Sequence, residues 1–283
     1  SMQLRENVMR YVFMLAACFS ILAVFFICFY LFMNGLPAMA KIGVADFIFG
    51  MDWKPLNEIF GIFPMIIGSL YVTAGAIIVG VPIGILCAIF LVFFCPKKLY
   101  SIIKPAVELL AGIPSIVYGF FGLIVIVPLF QDMFGGNGKG VLTASVLLGI
   151  MILPTIISVS ESSLQAIPDS YYEGALALGA SHERSVFFVC VKAATSGVLA
   201  GVILGVGRAI GETMAVIMVA GNNAIMPDSL LSGVRTMTAN IVLEMSYASG
   251  LHREALIATA CVLFVFILII NLSFSALKRK GAK

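Results

Sequence analysis

Six apolar runs, each close to the roughly 20 residues a helix needs to cross about 30 Å of hydrocarbon, occupy most of this 283-residue chain. They fall near 11–33, 66–94, 107–130, 141–160, 195–220 and 255–277. Inside a bilayer every backbone N–H and C=O must be bonded within the protein, so runs of this kind are helices. The expected fold is an all-α integral membrane protein with six transmembrane helices. Composition agrees, with 61% hydrophobic and 11% charged residues where a soluble domain carries about a quarter charged. A net charge of +3 is too small to suggest nucleic acid as a partner. Of the six cysteines, Cys18, Cys28, Cys87 and Cys261 lie in apolar runs and Cys95 and Cys190 near span ends. No disulfide framework and no CxxC metal site follows.

The stretch from Ile59 to Phe94 is too long for one straight span and carries Pro64, Gly68, Gly75, Gly80, Pro82 and Gly84. It predicts a short external segment followed by a loosened helix. The first run, preceded by Arg5 and Arg10, exceeds the 7–15 residues usual for a signal-peptide core and reads as an uncleaved anchor. With the N-terminus inside, eleven basic residues, among them Lys97, Lys98, Lys104, Arg184, Lys192, Lys278 and Lys283, fall in cytoplasmic segments. Five fall outside: Lys41, Lys54, Lys139, Arg235 and Arg253. That asymmetry places both termini in the cytoplasm. The external parts are then the segment from Gly35 to about Gly61, the glycine-rich turn 135–140, and a loop from Gly221 to about Glu254.

Between Ala193 and Ala220 the only charges are Arg208 and Glu212. Ionisable side chains within a span are rare, turn away from lipid, and mark a substrate path, a relay or a latch. On one continuous helix, Gly197, Gly201, Gly205, Arg208, Glu212 and Ala215 share one narrow face. Small residues at every fourth position let another helix approach closely, so this face is expected to look inward, at a subunit contact or a pore. Arginine offers a permanent charge and a planar fork that matches phosphate oxygens. One reading has an incoming anion compete with Glu212 for Arg208; the other is a static ion pair that only fixes helix packing. Glu108 lies at a cytoplasmic entrance beside Lys104, suited to a local ion pair or a contact at a subunit base. His182 and His252 lie in opposite compartments and form no pair with each other.

One cytoplasmic connection, 160–192, is much longer than the other. Asp169 or Ser170 with Glu173 suggests a capping box, a short helix over 170–178, a stop at Gly179, and a second helix capped by Ser181. Gly174, Ala175 and Ala177 would give it a nearly smooth face that another protein can approach.

The pattern Glu173-Gly174-Ala175, then Gly179, then Val189-Cys190-Val191 resembles the EAA loop of permease subunits of bacterial ATP-binding-cassette importers. The segments 108–119 and 207–215, with Gly211-Glu212-Thr213-Met214-Ala215, and the external Val234-Arg235-Thr236-Met237-Thr238-Ala239, resemble phosphate-specific (Pst) importer permeases of the PstC type. Gly174 stands where a second Ala is usual, and Lys192 where the pattern ends in Pro. The resemblance implies a type I importer permease (MetI-like) fold: an N-terminal anchor and external segment over 1–60, and a permease core over 61–283. It implies a bacterial inner-membrane location, ATPase coupling through Glu173, Gly174, Ala175 and Gly179, and inorganic phosphate as cargo. It also implies as partners a second, PstA-like permease, two PstB-like ATPases and an external PstS-like phosphate-binding protein. The chain has no GxxxxGK[ST] loop, so ATP hydrolysis falls to another subunit. No cofactor is expected. Rival readings are a permease for molybdate or sulfate, a sensor or assembly subunit that does not transport, and an intramembrane hydrolase, for which the spans supply neither a histidine nor two nearby carboxylates.

Overall fold

The computed structural model describes residues 2–281; Lys283, counted above among the cytoplasmic cations, lies outside them. Fourteen α-helices, one small hairpin, a 3-10 turn at Pro55–Asn57 and three π-helical segments (Phe90–Phe94, Gly122–Ile126 and Val186–Cys190) are the regular elements of the described residues. The long helix α1 (Met2–Ile42) leads through α2 (Val44–Phe49) to the antiparallel hairpin of β1 (Trp53–Lys54) and β2 (Ile59–Phe60). Next come α3 (Phe63–Ile89), α4 (Lys97–Gly112), α5 (Ser115–Phe121), α6 (Val127–Phe134) and α7 (Val141–Gln165). The cytoplasmic loop holds α8 (Asp169–Ala177), α9 (His182–Ser185) and α10 (Val191–Ala193). The chain ends with α11 (Thr195–Gly211), α12 (Met214–Val219), α13 (Met237–Glu244) and α14 (Gly250–Gly281).

Among the described residues, five helical runs are long and apolar enough to span: Arg5–Ile42, Phe63–Phe94, Ser115–Phe134, Val141–Gln165 and Gly250–Ser273. The pair His182–Ala193 and Thr195–Gly211, bent by 70°, makes a sixth if taken as one. Two expected spans are broken. The run 107–130 divides at Ile113–Pro114, where the backbone is extended and α4 stops. Proline removes an N–H and bars the preceding residue from the helical region, so the expected span is broken here into two helices. The run 195–220 divides at Glu212–Thr213.

Helix α7 is the centre of the fold, with 67% of its most apolar window buried against 0% for α1. Its neighbours are α3 on one side and α11 on the other. The glycines of α3 serve that packing and do not loosen the helix: Gly75 lies against Ser145, Gly80 against Ile152 and the Gly149 carbonyl, and Gly84 against Ile156. Gly68 lies against Val234 and the Arg235 carbonyl, which seats the last external loop on the top of α3. Helix α1 packs along α14, and its opposite side is open over most of its length.

The stripe Gly197, Gly201, Gly205 also faces α7, meeting Ser163, then Ser160 and Val159, then Ile156. It makes a close contact within the chain, where the sequence pointed to a subunit contact or a pore. A Cβ at Gly205 would sit 2.8 Å from Ile156 Cγ1. Gly205→Leu is therefore expected to destabilise the α7/α11 pair by about 1–3 kcal/mol, the usual range for overpacking. A lowered unfolding midpoint in detergent checks this.

Candidate functional site

Helix α11 ends at Gly211, and Glu212 leaves it with φ −69 and ψ 131. Glu212 and Arg208 are therefore not successive residues on one helical face, and no ion pair joins them among the described residues. The Glu212 carboxylate caps α12 instead: Oε1 accepts the N–H of Thr213 at 3.1 Å and of Ala215 at 3.3 Å. These donors have no helical partner of their own, and a carboxylate at a helix start is favoured by charge as well as by hydrogen bonding. The Glu212 carbonyl, freed by the break, accepts the Thr238 hydroxyl at 3.2 Å. The external motif 234–239 thus props the break open, a role its sequence did not reveal.

Arg208 is half-buried on the last turn of α11, and among the described residues its one side-chain hydrogen bond runs from Nη1 to Thr155 Oγ1 at 3.4 Å. A Cβ added at Gly207 or at Gly211 would meet nothing within 4 Å, so the helix surface beside the guanidinium is open. Most donors of a permanent cation are thus left without a hydrogen-bond partner among the described residues, beside the break at Glu212–Thr213 where α5 packs on α12. Gly119 of α5 allows that contact, with its Cβ position 2.9 Å from the Ala215 Cα.

Two further charged clusters escaped the sequence reading. On the cytoplasmic side Glu161 of α7 is 1% exposed. Its Oε2 accepts Lys104 Nζ at 2.6 Å, and its Oε1 accepts the Tyr100 hydroxyl at 2.6 Å and Gln165 Nε2 at 3.4 Å. Burial works against the Lys104 charge, but the bond to Glu161 and the two nearby carboxylates outweigh it and raise the lysine's pKa. Glu108 reaches the same lysine at 3.6 Å but is largely exposed, so it is the outer and weaker partner. On the external side Glu244 of α13 accepts Arg235 Nη1 at 2.6 Å and Trp53 Nε1 at 2.9 Å, and its Oε2 lies 2.8 Å from His252 Nε2. This hub ties the hairpin, the last external loop and α14 together. Glu161 looked like the first residue of a polar loop and Glu244 like a charge in an external one; burial distinguishes them, and burial there comes from distant segments.

In the cytoplasmic loop α8 begins within a residue of the expected start and Gly179 takes the left-handed φ of 84°. Ser181 caps α9 by accepting the Arg184 N–H at 3.3 Å. The capping box does not form: Pro168 is the N-cap, and no side chain caps α8. Ala175 also departs from the expected smooth face, turning inward at 9% exposure while Glu173, Gly174 and Ala177 stay exposed. The Tyr172 hydroxyl lies 2.7 Å from His182 Nδ1 and holds α8 against α9. A Cβ at Gly174 would meet nothing. Gly174→Trp is thus expected to leave the fold intact, and an unchanged unfolding midpoint in detergent checks it.

Comparison with known proteins agrees with this architecture. Residues 80–282 match the family described as binding-protein-dependent transport system inner membrane component. The chain is 35% identical over 260 residues to a probable ABC transporter permease protein, YqgH, of Bacillus subtilis, covering 89% of this chain and 84% of the relative. It is 36% identical over 264 residues to the phosphate transport system permease protein PstC of Pasteurella multocida, covering 84% and 82%. Its fold is similar to that of the MetNI methionine ABC transporter in an inward-facing form, with TM-score 0.63, 18% identity, and 82% and 100% coverage. It is also similar to a bacterial ABC transporter that imports alginate, with TM-score 0.62, 15% identity, and 99% and 100% coverage. The chain belongs to the binding-protein-dependent transport system inner membrane component family, as the multi-span permease of an ATP-binding-cassette importer and not as its ATPase.

Proposed function

We propose that this permease imports inorganic phosphate, with Arg208 in the translocation path and Glu212 holding the break beside it. The observation that carries the reading is the half-buried Arg208 guanidinium, which has open helix surface around it and no carboxylate partner among the described residues. A membrane arginine without a partner in its own chain is suited to an anion or to a neighbouring subunit. Its planar fork matches phosphate bidentately, and hydrogen bonds to charged groups are worth about 1.5–3 kcal/mol each. The PstC relatives, at about this identity over most of the chain, support phosphate over other oxyanions.

In this reading Glu212 does not compete with the anion for Arg208; its carboxylate is occupied by α12. It keeps α11 short, so that the arginine ends a helix beside a break instead of sitting mid-span. A membrane permease of this family works with an ATPase and a binding protein. The finer assignment is a PstA-like second permease, two PstB-like ATPases that receive the exposed Glu173, Gly174 and Gly179 with Ala175 packed beneath them, and a PstS-like phosphate-binding protein outside. Residues 1–60 then serve as anchor and external segment, and 61–283 as the permease core.

The test is uptake of radiolabelled phosphate by the reconstituted importer with its binding protein. Excess unlabelled phosphate should abolish the label, and equal excesses of sulfate or molybdate should leave it. Suppression by sulfate or molybdate as strong as by phosphate would favour another oxyanion.

A further inference from the structure

The Glu161 cluster lies at a junction the proposed path does not use. Glu161 is on the last turns of α7, just before the turn that leads to the coupling helix α8. Its two partners on α4, Tyr100 and Lys104, are one turn apart and both reach it at 2.6 Å. Around them Leu91, Val107 and Ile157 form a small apolar cluster with Ile103 and Leu153 packed on it. That cluster already gives α4 a seat on α7. Burying a carboxylate and an ammonium there adds a desolvation penalty that apolar side chains would avoid, and their distinct contribution is to fix register and angle.

Helix α4 is a short amphipathic segment whose main partner is α7. Beyond it, at the extended Ile113–Pro114 break, the Tyr118 hydroxyl of α5 donates to the Leu110 carbonyl of α4 at 2.8 Å, so the two helices stay joined across the break. Helix α5 in turn packs on α12 through Gly119. A continuous set of contacts therefore runs from the base of the coupling loop through Glu161 to α4, to α5, and to the helix that Glu212 caps.

We infer that Glu161 is a positioning residue for transport: with Lys104 and Tyr100 it locks α4 to the base of the coupling loop, so that displacement of α8 by the ATPase is delivered to α5 and α12. Without the lock α4 slides on its apolar seat, and ATP hydrolysis continues while the translocation path no longer follows it. The inference rests on the family's permease–ATPase arrangement and not on the identity of the cargo.

The test uses the full importer in proteoliposomes with the double variant Glu161→Gln/Lys104→Met, which removes both charges and keeps the volumes. Expected are normal assembly, ATP hydrolysis at close to the wild-type rate, and about a tenfold fall in labelled phosphate carried per ATP hydrolysed, within the range of coupling between distant sites. Spin labels on the exposed Val117 of α5 and Phe19 of α1 give a readout that needs no cargo. Their separation should change on nucleotide binding in the wild type and stay fixed in the variant. An assembled variant with unchanged phosphate per ATP, or with the wild-type change in label separation, overturns the inference. If the double variant fails to assemble, Tyr100→Phe takes its place: a reduced ratio supports the lock and an unchanged one overturns it. Should the wild type carry no phosphate, the proposed cargo fails, while the spin-label comparison still decides the role of Glu161.

Discussion

Arg208→Lys is expected to reduce phosphate uptake by about tenfold or more while leaving assembly and fold intact. Lysine keeps the positive charge and nearly the length, but replaces a planar fork of five donors with a compact ammonium. Losing one of two parallel hydrogen bonds to a charged oxygen is worth about 1.5–3 kcal/mol, a factor of about ten to a hundred. Arg208→Gln removes the charge as well and should abolish uptake. Neither change should unfold the chain, because among the described residues the guanidinium has one long side-chain hydrogen bond, 3.4 Å to Thr155, and no ion-paired carboxylate that would be stranded. This separates the anion role from the static ion pair that the sequence alone also allowed. A packing role predicts loss of stability, whereas a transport role predicts loss of flux from a folded subunit. Initial rates of phosphate uptake beside an unfolding curve in detergent distinguish them.

Glu244→Ala is expected to act in the opposite way, chiefly on stability. Its carboxylate is 9% exposed and holds Arg235, Trp53 and His252 from three different segments. Removing one partner of a buried ion pair costs about 3–5 kcal/mol, because the other charge remains buried without compensation. Here Arg235 would remain, with Nε bonded to the Asn222 carbonyl at 2.9 Å and Nη1 to Asn240 Oδ1 at 3.1 Å but with no anion. Glu244→Gln keeps the shape and should lose less. Trp53 is the sole tryptophan of the chain, so its emission reports the hub directly. The alanine variant should show a red-shifted emission and a lower unfolding midpoint. Unchanged emission with an unchanged midpoint would mean that the hub does not hold the external segments.

What the sequence conveyed and what it hid follow from the reach of each interaction. The long apolar runs, the helix over 169–177, and the Gly179 turn are local, and periodicity or a single residue's conformational freedom reveals them. The break at Glu212–Thr213 has no proline to announce it. It exists because Glu212 satisfies the first N–H groups of α12 while Thr238, distant in sequence, takes the carbonyl that the break frees. A helical wheel drawn through 193–220 therefore set Arg208 and Glu212 on one face that the folded chain does not have. The glycine stripe was legible as a close contact but not as a contact with α7, since small residues reveal proximity and not the partner. Glu161 and Glu244 were invisible as buried charges for a related reason: each is buried by segments far from it in the chain, Tyr100 and Lys104 in one case and Trp53 in the other.

The two clusters also divide the molecule sensibly. The external hub joins the hairpin and α14 to the loop that props the Glu212 break, and the cytoplasmic cluster joins the coupling loop to α4. Arg208 lies on neither, at the open end of α11, where Thr155 is its one side-chain hydrogen-bond partner among the described residues. The most direct test is a structure of the assembled importer caught with phosphate in transit. The account predicts phosphate oxygens within about 2.7–2.9 Å of the Arg208 guanidinium, the separation of charge-assisted bonds, with Glu212 still capping α12. Phosphate passing elsewhere, with Arg208 held by a carboxylate of the neighbouring permease, would contradict it.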